Sequence, residues 1–158
     1  MIYLKIKTWN DNLNDVVRDV LFPNKQLLDM MLVPISVRTD IMTFINKYLV
    51  RDVTPDEIVK DEDVRVIYFT SEGRSIGSNM VKKYLNFDIY VKDEHVHDYG
   101  NDLLAFRTEV IAEKLKELLT GKRYVCNLRF DFVDQHDLYT KAVGYKRYRI
   151  TFSYKTSF

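Results

Sequence analysis

Hydrophobic positions along the chain change period near residue 64, from helical spacing before it to strand alternation after it. Ile2-Tyr3-Leu4-Lys5-Ile6-Lys7 alternates weakly and predicts a short strand. Val16, Val17, Val20 and Leu21 then recur at helical spacing, with Asn14 placed to cap the helix and Pro23 to stop it. Lys25 to Leu32 is a second short apolar run, ended by Pro34. Thr39 or Asp40 can cap a third helix carrying Ile41, Met42, Phe44, Ile45, Tyr48 and Leu49, all on one broad stripe. Thr54-Pro55-Asp56-Glu57 is a compact start signal, with a capping Thr, Pro at the first helical position and Glu three residues after the cap. The polar run Lys60-Asp61-Glu62-Asp63 keeps that helix short.

Beyond it, Val64 to Thr70 reads as a strand, and Ser71 to Asn79, with two glycines, as a flexible loop. From Val81 to Lys92 the alternation is cleaner: Leu85, Phe87, Ile89 and Val91 face one way, with Asn86 and Asp88 between them. Asp93 to Gly100 is a polar connection. Asp102 to Leu119 reads as a long helix with Leu104, Ile111, Leu115 and Leu118 on one face and Gly121 at its C-terminal cap. Two long strands follow. In one, Tyr124, Cys126, Leu128, Phe130 and Phe132 alternate with Asn127, Arg129 and Asp131; in the other, Tyr148, Ile150, Phe152 and Tyr154 alternate with Arg147, Arg149, Thr151 and Ser153. Asp134 to Ala142 is the polar loop between them.

The pattern predicts an α+β fold, a β-β-α-β-β sheet with one long packing helix, preceded by an N-terminal helical segment. Residues 1–158 read as a single domain, because the mainly helical subregion 1–62 is too small to bury a core of its own beside the sheet-plus-helix core 63–158.

Composition narrows the function classes. An apolar fraction of 46% with 30% charged residues is that of a folded globular chain. Lys plus Arg number 24 against 23 Asp plus Glu, a balance that argues against a general binder of phosphate backbones while leaving room for one basic face. The single cysteine, Cys126, excludes an intramolecular disulfide and a Cys-rich zinc site. The absence of a membrane-length apolar run and of a signal-like N-terminus points to a reducing cytoplasm. Eleven Tyr and nine Phe suit strand faces and subunit interfaces, although an AT-rich genome produces the same bias.

Candidate chemistry is sparse. Glu94-His95-Val96-His97-Asp98, with His136 or Asp137, contains the donor types of a transition-metal site, but the spacing specifies no third fixed ligand and the segment reads as a solvated connection. Cys126 alternates with core positions and reads as a small buried hydrophobe. Gly73-Arg74-Ser75-Ile76-Gly77 matches a nucleophile-elbow expression, yet it bridges two predicted strands where an elbow needs a strand running into a helix. No phosphate-cradling loop is present. The expectation is a non-enzyme without cofactor or metal.

What remains is a face. Arg129 on one strand and Arg147 and Arg149 on the other, interleaved with Tyr145, predict a basic stripe on the sheet side away from the helix. Such a stripe is either a solvated face or a surface that meets nucleic acid or an acidic patch on a neighbouring subunit. The Ser71–Asn79 loop, carrying Arg74 and Ser75, is of the kind that orders against a partner. His136 lies in the second such loop.

The run Asn86-Phe87-Asp88-Ile89-Tyr90-Val91, the helix closing on Leu118-Leu119-Thr120-Gly121-Lys122, and Gly144-Tyr145-Lys146-Arg147-Tyr148-Arg149-Ile150-Thr151-Phe152-Ser153-Tyr154 together resemble the tail terminator and tail-completion proteins of long-tailed bacteriophages, which join head to tail at the neck. The resemblance covers about residues 64–158; the N-terminal helices would equally suit a head-completion or connector component. It implies a virion structural protein with no active site. The subunits would form a homo-oligomeric ring, typically a hexamer, that caps the tail tube, joins it to the head connector or stopper, and encloses a channel through which DNA passes. Loops Ser71–Asn79 and Asp134–Lys141 would then contact tube or connector.

Overall fold

The computed structural model of the protein describes residues 12–51, 62–77, 79–97, 105–121 and 124–157. The predicted strand Ile2–Lys7, the helix start at Thr54 and Asp102–Leu104, predicted to open the long helix, lie outside the described residues; Phe106, also predicted helical, is extended, bridges to His97 and precedes a helix that begins at Arg107.

A helical stretch over 12–21 widens into a π turn at Val17–Leu21, so Asn14 sits inside the helix and does not cap it. Asn24 caps the next helix, α1 (Lys25–Met30), its side-chain oxygen accepting from the Leu27 N–H at 2.9 Å. Of the two caps predicted for α2 (Ile41–Lys47), Asp40 serves. Its carboxylate accepts from the Thr43 hydroxyl at 2.7 Å and the Thr43 N–H at 3.2 Å, bonds that hold it below the usual carboxylate range. This helix is shorter than its apolar stripe predicts. Tyr48 ends it, and Leu49 opens a strand, β1 (Leu49–Arg51), that pairs parallel with Val66–Tyr68. Tertiary pairing outweighs local spacing there.

The sheet continues with β2 (Val64–Ser75) and β3 (Met80–Lys92), then α3 (Arg107–Leu119), β4 (Asp131–Leu138) and β5 (Tyr145–Ser157). Its spatial order is β1-β2-β3-β5-β4, antiparallel everywhere except at β1. The strand–strand–helix–strand–strand plan therefore holds, and β5 inserts between β3 and β4 and pairs with β3 from end to end. The core lies on one face: Val66 and Tyr68, Leu85, Phe87 and Ile89, and Ile150 and Phe152 meet Ile111, Ala112, Leu115 and Leu119 of α3, with Phe44, Leu27 and Leu21 closing the helical side. Phe87 and Phe130 both meet Phe152 edge-on, at centroid distances of 6.0 and 6.5 Å.

Two predicted loops are strand. Residues 71–75 extend β2 as a ribbon against β3, with a bulge between Glu72 and Ser75. Its polar side chains mark water on both faces rather than disorder, since past the core a ribbon needs only its backbone bonds. Likewise Asp134–Leu138 belongs to β4, which pairs with the centre of β5. The strand predicted over Tyr124–Phe132 starts seven residues late because Cys126 and Asn127 have φ of 49° and 67°, a two-residue turn closed by reciprocal Val125–Leu128 backbone bonds. Cys126 is thus a half-buried turn residue packed against the core, and burial pushes its thiol up.

Asn127 is exposed and tolerates a left-handed backbone. Asn127→Val is expected to lower the free energy of unfolding by about 1–2 kcal/mol in urea denaturation, while Asn127→Gly leaves it unchanged. Burial raises the Tyr154 phenol from the ordinary 10.0 to about 12, the charge of Arg51 pulling the other way. The folded state therefore favours the protonated ring, and this share of stability, intact below pH 10, is lost as pH rises towards 12. Tyr154→Phe is expected to flatten the loss of stability across that window.

Candidate functional site

Strand register decides what the second sheet face carries. Cross-strand partners share a face, so Arg65–Tyr90–Arg147, Asp88–Arg149–His136 and Asn86–Thr151–Asp134 form rows across β2, β3, β5 and β4. Asp88 is fully buried at the centre. Arg149 grips it with a two-pronged bond, Nε to Oδ1 at 2.6 Å and a terminal nitrogen to Oδ2 at 2.9 Å, and Arg147 donates to Oδ2 at 2.6 Å. The bond to Asp88 outweighs burial and pushes the Arg149 guanidinium further up. Arg147 also donates to the Tyr139 carbonyl at 3.2 Å and lies over the Tyr90 ring, while Arg149 lies over Phe69. Next to this cluster, Asn86 accepts from the Thr151 hydroxyl at 2.8 Å and donates to Ser71 at 3.2 Å.

The predicted basic stripe is corrected by this arrangement in two ways. Arg129 is exposed in the segment ahead of β4 and shares no row with Arg147 and Arg149. The two remaining arginines meet a carboxylate on their own sheet, so the face is a bonded ionic cluster and not a free basic surface. Tyr145 begins β5, donates its hydroxyl to the Glu62 carbonyl at 2.8 Å, and with Ala142 packs on Ile67 and Tyr90. Two more of the predicted contact residues, Arg74 and Ser75, sit at the end of β2, with Ser75 donating to the Gly77 carbonyl at 3.1 Å. His136 stands opposite Arg149 on β4, its Nδ1 3.0 Å from the Asp134 carboxylate.

The histidine segment does not assemble as the spacing suggested. His95 ends a 3-10 turn with its Nε2 3.3 Å from Asp63, whereas His97 stacks on Phe106. Asp63, Glu94 and His95 bring one ligand atom each within 4.8 Å of one another. The group is at the surface, and the Lys92 ammonium already stands 4.0 Å from both carboxylates. His136 and Asp137, on β4, are separated from it by β5. The Gly73–Gly77 motif runs from a strand into a hairpin end, not into a helix. An open groove of about 1090 Å³ lies between α1 and α3, where the buried Lys114 ammonium is shared by Gln26 and Glu117.

Sequence reasoning missed Asp88 as the organiser of this face. The available signal was an acidic residue at the midpoint of an otherwise apolar strand, since such a charge must be paired to be buried. It also missed Arg107, buried at the start of α3, which donates to the carbonyls of Met30 and His95 at 2.9 Å and so ties α1 and the turn after β3 to that helix.

The YomW family model matches residues 10–154, and the chain belongs to that family. No curated protein matches it. Among solved structures, one aligns with 85% of this chain and 96% of its own at 10% identity, with a TM-score of 0.44.

Asp88→Asn is expected to cost about 2–4 kcal/mol, because it leaves two guanidiniums in the sheet without their carboxylate. Arg149→Lys, which replaces a fork by a point charge, is expected to cost about 1 kcal/mol. Urea denaturation of both variants checks the order.

Proposed function

We propose that this chain is a structural virion protein of the bacteriophage neck, a subunit of a ring that terminates the tail tube and joins it to the head connector around the DNA channel. The observation that carries the reading is the strand–strand–helix–strand–strand sheet over residues 64–157, with the Tyr145–Ser157 strand at its interior. That plan is what the resemblance to tail terminators implies for the same residues. The subunits are read as closing a homo-oligomeric ring, a hexamer in that resemblance, assembled in the host cytoplasm and carried in the virion. In this reading the tail tube protein and the head connector or stopper are its partners, and the protein has no catalytic role and no cofactor.

A net charge of +1 suits a channel wall that DNA must pass without sticking. The Asp88 cluster supports the same side of the choice, since arginines bonded to their own sheet offer little to a phosphate backbone. A head-completion or connector layer is the neighbouring reading within the same class.

Light scattering coupled to gel filtration, followed by negative-stain imaging, tests the proposal. A closed ring with a central hole is expected, either alone or on addition of tail tube protein. A monomer that stays monomeric with tube and connector proteins overturns it.

A further inference from the structure

Among the described residues, two stretches of the sheet have no strand partner on one side, and they are chemically opposite. Among the described residues no strand pairs with the outer side of β4, and β1 covers β2 only at Val66–Tyr68, leaving Phe69–Ser75 as the other open edge. β4 carries Asp131, Asp134 and Asp137 and no Lys or Arg; Lys146 of β5 stands 3.7 Å from Asp137, so Asp131 and Asp134 give this edge its surplus. The ribbon of β2 and β3 carries Arg74, Lys82 and Lys83 against Glu72 alone. Lys83 is held by Glu72 at 3.8 Å, so Arg74 and Lys82 give the ribbon its surplus.

Exposed apolar side chains gather at the same two places. Ile76 and Met80 sit at the end of the ribbon, Phe132 and Val133 on β4, and Tyr139 and Val143 in the loop after it. Together they are six of the nine large apolar residues that stand exposed among the described residues. Apolar groups beside an open edge mark a strand that pairs with another chain.

We infer that β4 of one copy adds to the β2 edge of the next, an acidic edge against a basic ribbon, in a head-to-tail contact between copies of this chain. The inference rests on the ring reading above and names its surface. Direction fits: β2 and β4 run opposite ways in the sheet, so a neighbour related by rotation about an axis along the strands presents β2 antiparallel to β4. Charge selects the partner edge. Asp131 and Asp134 repel a second β4, which disfavours the two-fold dimer, whereas Arg74 and Lys82 attract it. A heterologous contact of this kind closes into a ring when its rotation divides a full turn.

The test is the native mass of the full chain by light scattering, at low and high salt, with circular dichroism to verify that each variant folds. Asp131→Lys with Asp134→Lys, and separately Arg74→Glu with Lys82→Glu, are each expected to weaken assembly at least about tenfold. Combining all four substitutions is expected to restore it, which also shows that the reversed residues are compatible with the fold. High salt is expected to weaken the wild-type assembly. If the wild type forms a ring that neither reversal disturbs, or if the combined variant fails to recover, this surface is wrong and the ring reading stands. A wild type that stays monomeric with tube and connector proteins removes both.

Discussion

A sheet whose helices, among the described residues, pack on one face must do something with the other, and here that problem is met by a single buried carboxylate. Asp88 lies at the middle of β3 with no solvent exposure, in the row where Ile67 precedes it and Arg149 follows. Burying an unpaired carboxylate would cost several kcal/mol, so the fold depends on Arg147 and Arg149 arriving two residues apart on the next strand. That spacing puts both guanidiniums on one side of β5 and lets them converge on one acid. A one-residue slip would send them to the core face and leave Asp88 alone, so the cluster fixes the register of β3 against β5. The guanidiniums of the same arginines, Arg147 over Tyr90 and Arg149 over Phe69, cover these rings where a second helix layer would otherwise lie.

The sheet was legible in the sequence wherever one face is dry. In β3 and β5 the residues that point to α3 are apolar and most of their neighbours polar, so alternation reports the strands and even their faces, whereas β2, with Ile67 and Phe69 on the second face, is legible by its β-branched and aromatic content. β4 has no such contrast: Asp131–Leu138 is an edge strand wet on both sides, and it is placed by the backbone of β5. The ribbon beyond Thr70 is hidden for the same reason. Cys126 and Asn127 misled in the opposite direction, since a left-handed turn can occupy positions whose side chains happen to alternate.

The candidate site followed the same logic. The alternation of β5 puts Arg147 and Arg149 on the face away from the helix, where the structure has them. Arg129 joins that face only if the strand begins at Tyr124, and it begins at Asp131. What spacing could not reveal is that these arginines face a carboxylate of their own sheet, because pairing between β3 and β5 spans some sixty residues of chain. Charge patterning along a strand counts ions; cross-strand register decides whether they are spoken for.

That distinction bears on how the molecule would associate. Once Arg147 and Arg149 are bonded to Asp88, the exposed charge near the sheet edges is the acid of β4 and the base of the β2–β3 ribbon, and both lie beside exposed apolar residues. Natural proteins blunt open edges with charge and bulges, and β4 has both: three aspartates, and a register shift between Phe132 and Asp134. A blunted edge refuses a copy of itself more strongly than it refuses an edge of opposite charge. The same device that prevents indiscriminate stacking therefore leaves one favourable geometry, head to tail, which is the geometry a closed ring requires.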